Sequence, residues 1–401
     1  MLDSVTQKEK TLLRISDLER RYTEEVLQSQ FRNSRSSGVI QRLEERFAAV
    51  FGVRYAIALC NGTAALHTAL HAVGVQPQDE VIVPPLTMMS TTFGVLHAGA
   101  TPVYADVHPK TFTLDPAQLE AKITSKTKAI MTVSLYGCPP DMDPILQIAR
   151  KHKIAVVEDN AQCVLGYYKG KIVGSMSGMA SYSFQNSKHI GCGEGGMLIT
   201  DDEDLALKAR RFSCLGYAAI GAQSGKSRAP KAALQDPAYE RHICLGWNYR
   251  IAESAAAIAL GQAERIHELV AKRRQSAALF AKAHLGCSWL TPQELPADGR
   301  HAYWTYALKL EERAGLTWHQ FRDKYVELGG DGIYAAWMIN YLEPVLRGKT
   351  MGNQTLVKGL CPVAESLQPR LLQFKTNYLD LELAREKADA LTRTIKFFDK
   401  G

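Results

Sequence analysis

From Val39 onward the chain alternates amphipathic helical stretches with short, continuously apolar runs, and no other feature narrows its fold as much. The apolar runs are Tyr55 to Leu59, Val81 to Val83, Pro102 to Tyr104, Ala129 to Val133 and Ile154 to Val157. Helical patterns lie between and around them, at Val39 to Phe51, Thr63 to Ala72, Met88 to Ala98, Pro116 to Ile123 and Asp143 to Lys151. Runs so short and so apolar read as strands buried on both faces, because a half-exposed strand alternates polar and apolar residues. Strands joined through helices pair in parallel, since the connection must cross back over the sheet. The pattern predicts an α/β domain with a large, mainly parallel mixed sheet wrapped by helices.

The second half extends this plan. Met197 to Thr200 reads as a further strand, and a long helical stretch runs from about Glu253 to His284, bridging toward a second unit. Trp304 to Leu310 reads as a strand, Thr317 to Leu328 as a helix closed by Gly329-Gly330, and Leu381 to Phe398 as a last amphipathic helix. Before Val39, helical patches such as Leu12 to Leu27 precede a Ser/Arg/Gly-rich break from Arg32 to Gly38. The expected organisation is an N-terminal helical arm (1–36), a large domain that includes the bridging helix (37–284) and a smaller C-terminal α/β domain (285–401).

Composition excludes several classes. No run of 18 apolar residues is present, so no membrane span is expected. Asp3, Lys8, Glu9 and Lys10 make the N-terminus too charged for a signal peptide. Eight cysteines without a CxxC pair or metal-type spacing read as reduced thiols in a cytoplasmic protein, with no metal centre. The net charge of +7 is spread along the chain, and its densest patch is Lys226, Arg228 and Lys231, with Arg241 nearby. Without aromatic-basic interleaving, nucleic acid is not an expected partner. The patch is either a solvated loop or an attractor for a phosphorylated or nucleotide-linked small molecule.

The chemistry is carried by an acid and a lysine. Asp159 ends an apolar run in Val-Val-Glu-Asp-Asn-Ala-Gln, at the carboxyl edge where open α/β sheets take their ligands. Lys188 follows in Ser-Phe-Gln-Asn-Ser-Lys-His-Ile-Gly-Cys-Gly-Glu-Gly-Gly, framed by small residues. Taken singly, the first reads as a helix cap and the second as a surface lysine. Taken together, their order and surroundings fit pyridoxal phosphate (PLP) chemistry. A lysine holds that cofactor as a Schiff base and a carboxylate pairs with its ring nitrogen. Gly62-Thr63, between a strand and a helix, supplies the backbone donors and hydroxyl that a cofactor phosphate needs; its plainer reading is a strand-to-helix turn.

The stretches Asn61-Gly62-Thr63-Ala64-Ala65-Leu66, Pro84-Pro85-Leu86-Thr87, Glu158-Asp159-Asn160-Ala161-Gln162, Ser183-Phe184 through Lys188, Gly193-Glu194-Gly195-Gly196 and Gly246-Trp247-Asn248-Tyr249-Arg250 resemble the DegT/StrS-type sugar aminotransferases. The resemblance is specific from about Leu43 to Glu268 and looser beyond. It implies fold-type I of the PLP-dependent enzymes, with Lys188 and Asp159 catalytic. It also implies phosphate contacts from Gly62, Thr63 and Ser183, with Asn248 donated by a partner subunit, so a homodimer with shared sites. Gln162 stands where such proteins place a Gln or His against the cofactor 3′-oxygen. The implied reaction moves an amino group from glutamate or glutamine to a nucleotide-linked keto sugar.

The chain departs from that pattern in three places. Met88 stands where many relatives place an aromatic against the cofactor ring; it serves as a thioether packing partner or as core. His189 follows Lys188, whereas a dehydrating subgroup has histidine in place of the lysine. Adjacent side chains point apart, so His189 reads as structural. The segment from Gly329 to Pro344 lacks the Tyr-x-Pro-x-His pattern seen near the substrate. Tyr334 and Tyr341 are its candidate substrate contacts, together with Lys226, Arg228 and Lys231, while Trp337 reads more readily as core. Transamination of a non-nucleotide ketone (a cyclitol or small phosphorylated ketone), a PLP-dependent sugar dehydratase and a non-catalytic PLP-binding regulator are the alternative readings.

Overall fold

The computed structural model describes residues 14–31, 38–227 and 229–399. Its centre is a seven-stranded sheet. Named by their first residues, the strands lie in the order Tyr55, Gly196, Met179, Ala155, Thr127, Glu80, Thr101. The four strands Glu80–Val83, Thr101–Tyr104, Thr127–Val133 and Ala155–Asp159 pair in parallel, and Met179–Ser183 continues that direction. Gly196–Thr200 runs antiparallel to both its neighbours. Alternate residues of one strand serve different cores: Ile57 and Leu59 pack on one side, Ala56 and Ala58 on the other. Helices cover both faces, which is why these strands are apolar throughout.

The helix Val39–Phe51 and the last helix Leu381–Phe398 keep the bounds expected from the sequence. Three expectations are corrected. The segment 116–123 is not an α-helix but two short 3-10 turns, Pro116–Gln118 and Glu120–Lys122. Its only buried side chain is Leu119, so no apolar stripe sustains a longer helix. The bridging stretch is two helices, Glu253–Glu264 and Ile266–Ala283. They part at Arg265, whose side chain is drawn to the Glu19 carboxylate and the Arg14 carbonyl. The strand Met179–Ser183 was missed because its sequence, Met-Ala-Ser-Tyr-Ser, is half polar; all five residues are nonetheless buried.

The outer edge of Tyr55–Leu59 is sealed by side chains. Arg210 binds the Glu44 carboxylate through both terminal nitrogens and donates to the Ala56 carbonyl, while Glu44 accepts from the Ala58 N–H. A buried ion pair thus takes the place of a further strand.

A second, four-stranded antiparallel sheet has the order Leu290–Pro292, Thr305–Leu310, Leu371–Lys375, Tyr334–Ala335. Ile266–Ala283, Trp318–Glu327 and Leu381–Phe398 contribute side chains to the core beside it. The N-terminal helix Asp17–Ser29 has a Ser16/Glu19 capping box and packs on Glu253–Glu264. The start of the helical patch expected from Leu12 lies outside the described residues. Among the described residues, no helix is long and apolar enough to cross a membrane.

Candidate active site

The carboxyl ends of the parallel strands open into a cavity of about 640 Å³. Its walls include Gly62, Thr63, Met88, Asp159, Gln162, Ser183 and Lys188. Seven positions scattered over the sequence from 62 to 188 are thus brought to one site.

Asp159 closes its strand and is buried. Its Oδ2 accepts from the Thr91 hydroxyl at 2.9 Å and its Oδ1 from the Ala161 N–H at 3.1 Å. Burial raises its pKa; the Ala161 and Thr91 bonds and the charge of Lys188 oppose that rise. Lys188 is 8% exposed. Burial lowers its pKa to about 8, against the pull of the Asp159 charge. The Lys188 Nζ lies 4.2 Å from the centroid of the Trp304 ring and has no hydrogen-bond acceptor among the described residues. An amine so placed titrates within reach of neutral pH, as a nucleophile and base must.

Gln162 is fixed by the Tyr136 N–H, which donates to its Oε1 at 2.7 Å and leaves the amide nitrogen as the free end. At the far side of the cavity the helix Gly62–Ala72 begins. Asn61 caps it by accepting from the Ala64 N–H at 2.8 Å. The Gly62 and Thr63 N–H groups have no acceptor among the described residues. A Cβ on Gly62 would stand 3.0 Å from the Ser183 Cβ, so glycine is what lets the helix start approach Ser183. The Thr63 hydroxyl donates to Ser90 Oγ at 2.9 Å. Buried carboxylate, free amine and a donor-rich helix N-terminus, in one cavity, match the ring nitrogen, aldehyde and phosphate of PLP.

Other candidates fall elsewhere. Tyr341 is not a cavity wall: it is fully buried, its hydroxyl bonds the Glu365 carboxylate and accepts from the Cys361 N–H, and its ring packs edge-on to Tyr104. Tyr334 is exposed in the edge strand of the second sheet and does not line the cavity. Trp337, expected in the core, does line it, half-buried and stacked on Trp304 with ring centroids 5.6 Å apart. Lys231 is exposed on the short helix Lys231–Leu234 and is not a wall of this cavity. The Lys226 side chain and Arg228 lie outside the described residues. Asn248 is exposed, outside the cavity lining. His189 turns away: it is buried and donates through Nε2 to the Ala302 carbonyl at 3.0 Å.

Sequence reasoning missed Thr91, Tyr136 and Trp304. Thr91 and Trp304 sit in segments read as plain helix and strand. Tyr136 acts through its backbone, and nothing in a side-chain pattern signals that.

The chain matches the model of the DegT/DnrJ/EryC1/StrS aminotransferase family over residues 14–393. It is 41% identical to a GDP-perosamine synthase of Caulobacter vibrioides over 306 residues, 76% of this chain and 77% of that protein. A GDP-perosamine synthase of Escherichia coli O157:H7 is 35% identical over 312 residues, 77% of this chain and 80% of that one. Among solved structures, the aminotransferase from Psychrobacter cryohalolentis superposes with a TM-score of 0.84 at 28% identity, covering 96% of this chain and 98% of that one. The chain therefore belongs to the DegT/DnrJ/EryC1/StrS aminotransferase family and is a PLP-dependent aminotransferase of fold-type I.

Proposed function

We propose that this chain moves an amino group from glutamate or glutamine to the keto carbon of a nucleotide-linked sugar, with Lys188 as the residue that binds PLP and shuttles the proton. The observation that carries this reading is the buried Lys188 amine, without a hydrogen-bond acceptor among the described residues, in one cavity with Asp159 and the Gly62–Thr63 helix start. PLP, when bound, supplies a ring that takes up the electron pair of a breaking C–H bond.

The protein's part follows from its own groups. Asp159, held by Thr91 and Ala161, keeps a proton on a basic nitrogen placed beside it. Gln162, fixed by Tyr136, offers its amide N–H to an oxygen on the ring. The Gly62 and Thr63 N–H groups and the Ser183 hydroxyl would hold a phosphate, aided by the positive end of the helix. Met88, a wall of the cavity, would pack beside the ring. When free, the Lys188 amine would carry a proton away from the donor carbon in the first half-reaction and bring a proton to the acceptor carbon in the second. Its lowered pKa leaves a usable neutral fraction near neutral pH.

The acceptor is read from two supports. The stacked Trp304 and Trp337 present an apolar aromatic wall beside Lys188, suited to the C–H face of a sugar ring. The relatives named GDP-perosamine synthase favour a nucleoside-diphosphate sugar. Two copies of the chain form the working unit in this reading. Asn248 lies exposed beside Trp247, Leu245 and Ile243, which are exposed by 50%, 89% and 53%, an apolar strip fit for a second copy that brings Asn248 to its neighbour's phosphate.

The test is a single-turnover screen. Full-length protein in the pyridoxamine form is mixed with GDP-, UDP- and dTDP-linked keto sugars, a keto cyclitol and a small phosphorylated ketone, and the return of the yellow chromophore is timed. The expected outcome is fast return with a nucleotide-linked sugar. Faster return with the cyclitol or the small ketone overturns the assignment.

A further inference from the structure

Among the buried charges that the mechanism above does not use is the guanidinium of Arg273. Arg273, on the helix Ile266–Ala283, is 4% exposed, and its guanidinium bonds only neutral groups. Nη1 donates to the Trp304 carbonyl at 2.9 Å and Thr376 Oγ1 at 3.3 Å. Nη2 donates to the Ser187 carbonyl at 2.7 Å and the Lys188 carbonyl at 2.9 Å. No carboxylate forms an ion pair with it among the described residues. Arg14 donates to the same Lys188 carbonyl at 3.0 Å, so two cations meet at one peptide oxygen. The indole N–H of Trp304 shares the Ser187 carbonyl at 3.0 Å. A guanidinium out of water with no counter-charge is costly, and a neutral side chain would tie a loop down at less cost.

We propose that Arg273 is a positioning residue for Lys188: its fork fixes the Ser187–Lys188 backbone against the second sheet, and its uncompensated charge disfavours a proton on the lysine amine. The inference rests on the assignment of Lys188 as the cofactor lysine and proton carrier. The groups that act on that amine are known on every side. Burial among them favours the neutral form most, the Asp159 and Glu194 charges favour the protonated form, and Arg273 opposes it. His189 is buried and its pKa is driven well down, first by burial, so it adds no charge near neutrality. Arg14 bonds the carbonyl from the N-terminal side. Fork and charge are separable, since lysine keeps the charge without the planar fork.

The experiment uses full-length protein in the pyridoxamine form, in which the Lys188 amine is free. Carbamoylation of Lys188 by cyanate is followed against pH by peptide mass, beside kcat and a thermal melt for each variant. The parent midpoint is expected below that of an exposed lysine, the direction that burial sets. R273M and R273Q should raise the midpoint by about one pH unit, cutting the labelling rate at pH 7 about tenfold, because one unit is a tenfold change in neutral amine. R273K should leave the midpoint in place and lower kcat about tenfold through the lost fork. R14M should move the midpoint less than R273M. An unchanged midpoint in both neutral variants overturns the inference, as does a midpoint that rises equally in R273K. If cyanate labelling of the parent and borohydride trapping of its PLP form both miss Lys188, the lysine assignment itself fails and this inference falls with it.

Discussion

The Lys188 amine lies 4.2 Å above the Trp304 ring, and Trp304 in turn stacks on Trp337 at 5.6 Å with planes 8° apart. This relationship joins the two sheets of the molecule. Lys188 lies in the loop between the strands Met179–Ser183 and Gly196–Thr200 of the large sheet, whereas Trp304 precedes the strand Thr305–Leu310 of the small one. The Trp304 indole N–H also donates to the Ser187 carbonyl, so ring and backbone both brace the lysine. W304F keeps an aromatic face and loses that bond. It should lower kcat several-fold, about the worth of one hydrogen bond, while W304L should lose more. Steady-state rates for the pair decide it; equal losses would mean that the aromatic face contributes nothing.

Trp337 should affect the acceptor rather than the cofactor. W337A is expected to raise KM for the keto sugar about fivefold to tenfold, the scale of one lost aromatic contact, with W337F near the parent. The amino-donor half-reaction should change little. An equal loss in both half-reactions would remove Trp337 from the acceptor subsite.

Asp159 and Lys188 should fail differently. K188A is expected to abolish the borohydride-trapped adduct and turnover. D159A should keep some cofactor and lose about 100-fold or more in turnover, the scale of a lost preorganised electrostatic contact. A trapped peptide containing a different lysine, or near-parent turnover in D159A, would contradict these roles.

Mixing tests the shared site. If Asn248 reaches a neighbour's phosphate, K188A and N248A are each impaired alone. A co-refolded random mixture should then recover about a quarter of parent activity, because about half of it is heterodimer and one of each heterodimer's two sites escapes both lesions. No recovery, with subunit exchange shown independently, would place Asn248 in its own subunit's structure.

His301 should set part of the acid limit of stability. Burial drives its pKa down to about 3, with the Arg274 charge adding to the effect. Its Nδ1 accepts from the Tyr303 N–H at 2.8 Å, so the neutral ring is the folded form. The unfolded chain binds this proton below about pH 6.5 and the folded chain does not. Stability from this group is therefore complete above pH 6.5 and falls by about 1.4 kcal/mol per unit as pH drops toward 3. H301N, whose amide oxygen can replace Nδ1 as acceptor, should flatten urea midpoints between pH 6 and 4 relative to the parent. Parallel pH dependences would show that His301 is not the group responsible.

The Glu44–Arg210 pair should be costly to halve. E44Q leaves the Arg210 charge buried without its partner and is expected to cost about 3–5 kcal/mol in denaturant unfolding. A loss below about 1 kcal/mol would show that water reaches the pair.

The strands from Tyr55 to Asp159, the helix between Gly62 and Ala72, and the pairing of Asp159 with Lys188 were legible in the chain. Local physics writes them: buried strands must be apolar, a helix start needs a cap, and PLP chemistry needs an acid and a lysine. The strand Met179–Ser183 was not legible, because its serines and tyrosine are satisfied by distant groups, such as the Val173 carbonyl that accepts from the Tyr182 hydroxyl. Tyr341 and Trp337 exchanged places for the same reason. Both are aromatic residues in one short segment, and only the packing of that segment against Tyr104 and Trp304 decided which ring became core and which became wall. Arg273 could not have been found from sequence at all. It is an arginine in an ordinary helix until folding brings four neutral acceptors around it and leaves it without an ion pair among the described residues. The sequence by itself determined the family, the fold and the acid and lysine proposed to react, which depend on residue type and order. The tertiary structure alone decided what surrounds the lysine amine, because field, burial and stacking belong to positions that are far apart along the chain.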